Sequence, residues 1–170
     1  HKDGVNAVLV GEAIMRAPDA SEFIQQLCAG KVTPKSETIE PLMVKVCGTR
    51  TPEAALAAAE AGADLIGMIM VPGRKRTVTD EAAQAISKAI HDFTRPPSSA
   101  GTSIPRNVAS DYFAAAASKL ACQGRSRPLL VGVFLDQPLD EVLELQSRYK
   151  LDIVQLHGNE PVEWANSIPV

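Results

Sequence analysis

Short, almost unbroken apolar runs alternate along this chain with longer amphipathic or alanine-rich stretches. The runs "VNAVLVG", "LMVKVCG", "ADLIGMIMV", "PLLVGVFLD" and "LDIVQLHG" have strand length and end in glycine or polar turn residues. Between them, "APDASEFIQQLCAG", "TPEAALAAAEAG", "TVTDEAAQAISKAIHDF" and "PLDEVLELQSRYK" read as helices. The first has Asp19 or Ser21 as its cap and Gly30 as its stop. The second carries Thr51 at the cap, Pro52 in the first turn and Gly62 at the end. Thr79-Asp80-Glu81 opens the third, with acids at the positive end of the helix dipole. "NEPVEWANSI" begins a further helix with Asn159 as cap, and the closing "PV" starts another strand. Two stretches break the rhythm. "KVTPKSETIEP" is polar, holds two prolines and reads as a linker, over residues 31–40. "TRPPSSAGTSIPRNVASDYF" is rich in Pro, Ser and Gly and reads as a mobile surface insertion, with a short helix in "SDYFAAAASKLA".

Near-continuous apolar strands alternating with helices imply a parallel sheet covered by helices. Two α/β folds fit: an open doubly wound sheet and a (β/α)8 barrel. No G-x-G-x-x-G follows a strand, which weakens the dinucleotide-binding sheet. The alternation within strands favours the barrel. Met43, Lys45 and Cys47 share one face, and Val44 and Val46 the other; Ile153, Gln155 and His157 likewise oppose Val154 and Leu156. One face is thus apolar, fit for helices, and the other becomes polar toward the C-terminal end, as at the mouth of a barrel. A whole barrel takes ~250 residues. At 170 residues this chain has room for part of one.

Composition narrows the partners. A net charge of -3 argues against nucleic acid or an anionic membrane surface. The three cysteines, Cys28, Cys47 and Cys122, are far apart and contain no C-x-x-C pair, so neither a metal site nor a disulfide framework is expected. That fits a reducing, cytoplasmic setting. No apolar run approaches the ~20 residues of a membrane span. No signal peptide is visible, in a chain that starts at His1.

The candidate chemistry lies at strand ends. A free cysteine is commonly a small buried hydrophobe. Cys47, however, precedes a polar Gly-Thr-Arg turn and shares its strand face with Lys45. Two residues along a strand is ~6–7 Å, near enough for a dry cation to favour a thiolate base or nucleophile. Arg76, with Arg74 and Lys75, lies in the loop after the next strand; such a cluster is usually a solvated patch, but at a barrel mouth it meets an anionic substrate. His157 ends a later strand in the same way. Gly11-Glu12 forms a strand-to-helix junction of the kind that holds phosphate through backbone N–H groups.

The ordered set V-K-V-C-G, A-G-A-D-L-I-G, R-T-V, V-G-V-F and V-Q-L-H-G resembles phosphoribosylanthranilate isomerase of tryptophan biosynthesis, over residues 41–170. Residues 1–30 resemble the last strand and helix of indole-3-glycerol-phosphate synthase, a decarboxylating lyase. The resemblance therefore implies the first four βα units of one TIM barrel, preceded by the last βα unit of another. The two enzymes occur fused in this order. In fungi they also follow the glutamine amidotransferase domain of anthranilate synthase, and the Pro/Ser-rich insertion is similar to the fungal one. Cys47 then matches the general base of an Amadori rearrangement needing no cofactor. Arg76 and His157 match substrate-binding positions, and Gly11 and Glu12 a remnant of the synthase phosphate site. The partners implied are a small phosphorylated anthranilate substrate and neighbouring enzyme domains of the same chain. The family's acid aspartate and main phosphate loops lie on later strands, and Asp136 does not match the acid. A non-catalytic α/β module binding a phosphorylated ligand remains open, as does a thiol-redox protein, for which no resolving cysteine lies nearby. Two further expectations follow. Residues 1–30 should not pair with the strand of Val44 and Val46. The 170-residue chain alone should be inactive and poorly stable, with both sheet edges unpaired.

Overall fold

The computed structural model describes residues 7–10, 17–28, 43–95 and 126–169. Within them strands and helices alternate as β1 (Ala7–Val10), α1 (Ala20–Cys28), β2 (Met43–Cys47), α2 (Pro52–Glu60), β3 (Leu65–Ile69), α3 (Asp80–Asp92), β4 (Leu129–Phe134), α4 (Leu139–Tyr149) and β5 (Ile153–Leu156). A 3-10 turn, Val162–Asn166, follows. The junction Gly11-Glu12, the linker and most of the Pro/Ser-rich insertion lie outside the described residues.

The strands form one sheet in the order β1-β2-β3-β4-β5, each pair parallel. A doubly wound sheet reverses direction at a switch point. Here the order never reverses, and right-handed crossovers then place every helix on one side. Of the two folds compatible with the sequence, this is the barrel winding, carried part of the way round.

Local chemistry sets the helix limits. Thr51 Oγ1 accepts the Ala54 N–H (3.2 Å), Thr79 Oγ1 that of Ala82 (3.3 Å), and Asp19 Oδ1 that of Glu22 (2.9 Å). Asp19, and not Ser21, therefore caps α1. After α2 the chain turns through Gly62 at φ +103, a conformation open to glycine. The expected helix in "NEPVEWANSI" is instead the 3-10 turn, entered from Pro161. Asn159 does not cap it: the cap position is Pro161, and the Asn159 N–H donates to Asp136 Oδ1 (2.7 Å) in the preceding loop.

Register puts Val46, Ile66 and Leu130 on one face, as it does Met68, Gly132 and Val154. Ile66, Met68, Leu130 and Phe134 of this face are fully buried. They form the core with Ala55, Ala58 and Ala59 of α2, Ala83, Ile86 and Ile90 of α3, and Val142 and Tyr149 of α4. The small side chains of α2 let that helix lie close on the sheet. The other face carries Lys45, Cys47, Gly67, Val131, Val133 and Gln155 in register.

One expectation is overturned. β1 pairs with β2 along its length, Val8 opposite Val44 and Leu9 opposite Lys45, and Ile24 of α1 joins the common core. Without a neighbour β2 would expose a row of unpaired backbone groups. β1, a parallel apolar strand followed by its own helix, supplies the missing partner. The sheet stays open, and among the described residues the outer edges of β1 and β5 both lack a paired strand.

Two aspartates repeat one device at the strand entrances. The Asp64 N–H donates to Val44 O (2.8 Å) and Asp64 Oδ2 accepts from Val44 N–H (2.9 Å). Asp152 does the same with Leu130, at 2.9 and 2.7 Å. Their arginines differ. Arg127 grips Asp152 with both Nη atoms (2.7 and 2.8 Å). Arg95 stays 3.9 Å from Asp64 and donates to the Gly62 and Ala63 carbonyls. Burial therefore dominates at Asp64 and raises its pKa, against the Val44 N–H and the Arg95 charge. Burial pushes Asp152 up too, but the Arg127 and Leu130 hydrogen bonds and nearby charges bring it below the ordinary 3.8.

The signs are opposite. Asp152 contributes stability above its unfolded pKa, lost as pH falls through its depressed folded value; ionised Asp64 costs stability once pH has risen through its raised value. Asp152→Asn is expected to lower the unfolding free energy of the protein by about 1–3 kcal/mol near pH 7, the partly exposed pair keeping it toward the low end. That loss should shrink once pH falls below 3.8. Asp64→Asn should cost less near pH 7, since asparagine keeps an acceptor for Val44 and removes a poorly solvated charge. Urea titrations near pH 7 and pH 3 check both, and equal losses near pH 7 would refute the distinction.

Candidate active site at the strand C-termini

Parallel strands in chain order bring their C-terminal ends to one rim, where βα loops carry chemistry in barrel folds. Cys47 ends β2, Arg76 lies in the loop after β3, and His157 directly follows β5. Cys47 is a half-buried free thiol; Arg76 and His157 are exposed.

The turn after Cys47 is anchored on one carbonyl. Gly67 O accepts the N–H of Gly48 (2.8 Å), the N–H of Thr49 (3.1 Å) and the buried Thr49 hydroxyl (2.9 Å). Gly48 adopts φ +84, which favours glycine. Arg76 folds against this turn: a Cβ on Gly48 would stand 3.3 Å from Arg76 Nη1. The neighbouring Thr77 fixes that loop, its hydroxyl donating to Val71 O and accepting from Arg74 N–H (3.1 Å). Val78 N–H, bonded to Ile69 O (3.0 Å), returns the loop to β3. Arg76 and the Cys47 turn are thus in contact. His157 stands on the same rim two strands beyond β3, its N–H donated to Phe134 O (2.9 Å).

Lys45 connects the two sides. Its side chain is 8% exposed, and Nζ donates to Gln155 Oε1 of β5. To reach there it passes Gly67, where a Cβ would lie 3.0 Å from Lys45 Cε and 2.9 Å from Cys47 Sγ. Glycine within a strand marks such a close approach. Burial holds the Lys45 pKa below its ordinary 10.5, while the charge and hydrogen bond of Cys47 pull the other way. The ammonium is therefore a desolvated cation beside the thiol. Gly67, Thr49 and Thr77 were not singled out from the sequence. A glycine inside the apolar run "DLIGMIM" was the available signal for the first.

Among the described residues no group of three or more His, Cys, Asp or Glu is placed to hold a metal, and no helix is long and apolar enough to cross a membrane.

The sequence profile of N-(5'-phosphoribosyl)anthranilate (PRA) isomerase matches residues 85–170, half of the chain and the part that contains His157. The chain belongs to this isomerase family. A multifunctional tryptophan biosynthesis protein of Phanerodontia chrysosporium is 43% identical over 99% of the chain, which takes in Cys47 and Arg76, and 22% of that relative. The N-(5'-phosphoribosyl)anthranilate isomerase of Lipomyces starkeyi is 47% identical over 75% of the chain and 53% of its own length. The chain thus spans about a fifth of the first relative and about half of the second. A crystal structure of phosphoribosyl anthranilate isomerase, complexed with reduced 1-(o-carboxyphenylamino)-1-deoxyribulose 5-phosphate, superposes with a TM-score of 0.50 at 29% identity, covering 74% of this chain and 47% of that one. The isomerase fold is a TIM barrel, in agreement with the winding described above.

Gly67→Ala tests this packing. The added methyl meets Cys47 Sγ, Lys45 Cε and, at 3.2 Å, the Cys47 backbone. Overpacking of this kind costs about 1–3 kcal/mol. Alkylation of Cys47, mapped by peptide mass spectrometry, is expected to slow as the methyl covers the sulfur. Unchanged stability together with unchanged labelling would contradict the crowding.

Proposed function

We propose that the parent protein isomerises N-(5-phosphoribosyl)anthranilate to 1-(2-carboxyphenylamino)-1-deoxyribulose 5-phosphate, with Cys47 as general base. The carrying observation is the half-buried thiol at the end of β2, beside a desolvated Lys45 and against the turn covered by Arg76. Membership of the isomerase family and the ligand named for the superposed isomerase support the substrate class. The names of the long relatives support a multifunctional chain of tryptophan biosynthesis; its other parts, in our reading, are indole-3-glycerol-phosphate synthase and the glutamine amidotransferase of anthranilate synthase, in a cytosolic protein. In this reading residues 1–30 are the end of the synthase barrel, with Gly11 and Glu12 beside its phosphate.

The chemistry needs an acid and a base. An acid contributed by later strands protonates the ribose ring oxygen, the bond from that oxygen to the anomeric carbon breaks, and a protonated Schiff base forms. Cys47 then removes the proton on the adjacent carbon, giving an enolamine that tautomerises to the ketone. The electron pair of the broken C–H bond becomes the new C=C bond and the C=N π pair moves onto the iminium nitrogen, so no external electron acceptor is required. Arg76 pairs its guanidinium fork with the anthranilate carboxylate. His157 contacts the substrate from the opposite side of the rim. Lys45 supplies positive charge under the thiolate.

In the full-length protein, Cys47→Ala is expected to lower kcat by about 10²–10⁴-fold with little change in KM. Arg76→Ala should chiefly raise KM, since it removes binding made in both ground and transition states. Steady-state assays with N-(5-phosphoribosyl)anthranilate decide this, and full turnover by Cys47→Ala would remove Cys47 as the base.

A further inference from the structure

The loops after β4 and β5 are joined by two carboxylates that sit in no ion pair with a described residue. Glu160 Oε1 accepts the Asp136 N–H (2.8 Å), and Glu160 Oε2 accepts the Gly158 N–H (2.8 Å). Asp136 Oδ1 in turn accepts the Asn159 N–H (2.7 Å). With His157 N–H on Phe134 O, three consecutive backbone donors of "HGN" are all held. Asp136 takes φ +53, a left-handed conformation that aspartate tolerates better than most residues. A Cβ at Gly158 would fall 2.3 Å from Asp136 Oδ1 and 2.9 Å from Asp136 N, so glycine is what lets the loops approach. Each oxygen of Glu160 thus serves a different loop, and the imidazole of His157 hangs from the segment so fixed.

We propose that Glu160 is a positioning residue, whose carboxylate clasps the β4 and β5 loops and thereby sets His157 at the rim for substrate. The part played by His157 rests on the isomerase reading; the clasp itself rests on the hydrogen bonds. A ligand-contacting group displaced by about 1 Å can cost on the order of 10²-fold in rate, so a loop clasp at this place has a large effect available to it.

Glutamine at this position keeps one acceptor oxygen and turns an NH2 toward the second N–H, a repulsive pairing. In the full-length protein, Glu160→Gln is expected to lower kcat/KM by about 10–100-fold and to speed amide exchange at Gly158 and Asp136. In a His157→Ala background the same change should cost less than about twofold, because the group being positioned is gone. Asp136→Asn, which keeps an oxygen for Asn159 N–H, should leave amide exchange at Asn159 as it was. Equal fold-losses for Glu160→Gln in both backgrounds would make Glu160 merely structural and overturn the proposal. Unchanged exchange at Gly158 and Asp136 would overturn it too. If the unmodified protein turns over none of the substrate, the isomerase reading fails instead. The clasp is then decided by exchange at these amides and by the His157 ring resonances, which should sharpen in Glu160→Gln if the clasp holds the ring and stay unchanged if it does not.

Discussion

Parallel pairing of each strand with the next in chain order is the constraint on which the rest depends. It sends every strand the same way, so Cys47, the Arg76 loop, the Asp136 loop and His157 all emerge at one end. The strand entrances collect at the other end, where Asp64 and Asp152 tie neighbouring strands together. Stability and chemistry are thereby divided between the two ends of one sheet. The division is physical: entrance aspartates bond backbone groups that every parallel pair leaves there, while exit residues face an open rim.

Lys45 shows what the rim demands of the fold. A lysine under this much protein carries a desolvation cost, seen in its lowered pKa. The structure offsets part of it with the Gln155 carbonyl, and clears a path by having no side chain at Gly67. An aliphatic residue at position 45 would suit a barrel interior better. Strain of this sort concentrates where function requires a particular group.

The clasp of Glu160 and Asp136 uses charge in another way. Neither carboxylate meets a cation among the described residues; both are spent on backbone N–H groups of adjacent loops. Loops carry little buried apolar surface of their own, so short-range hydrogen bonds decide where they sit. Beyond these bonds the chain continues into the 3-10 turn, entered from Pro161.

Local chemistry was legible in the sequence. Apolar run lengths, Thr caps at Thr51 and Thr79, and the glycine after α2 depend on neighbours within a few residues, and their elements lie where the pattern places them. The alternation in "MVKVC" and "DIVQLHG" likewise assigned Lys45, Cys47 and Gln155 to one face, because the pleat has period two. Pairing was not legible. Whether the sheet winds in order or reverses, and whether β1 joins β2, depends on which backbone edge finds a partner, and both edges read alike in sequence. The site shows the same boundary. Cys47, Arg76 and His157 stand out as residue types at strand ends, but the bond from Lys45 to Gln155 spans 110 residues and the gap at Gly67 exists only once two strands lie side by side. Contacts of that separation are set by the packed fold, since only there do distant parts of the chain share one row of the sheet.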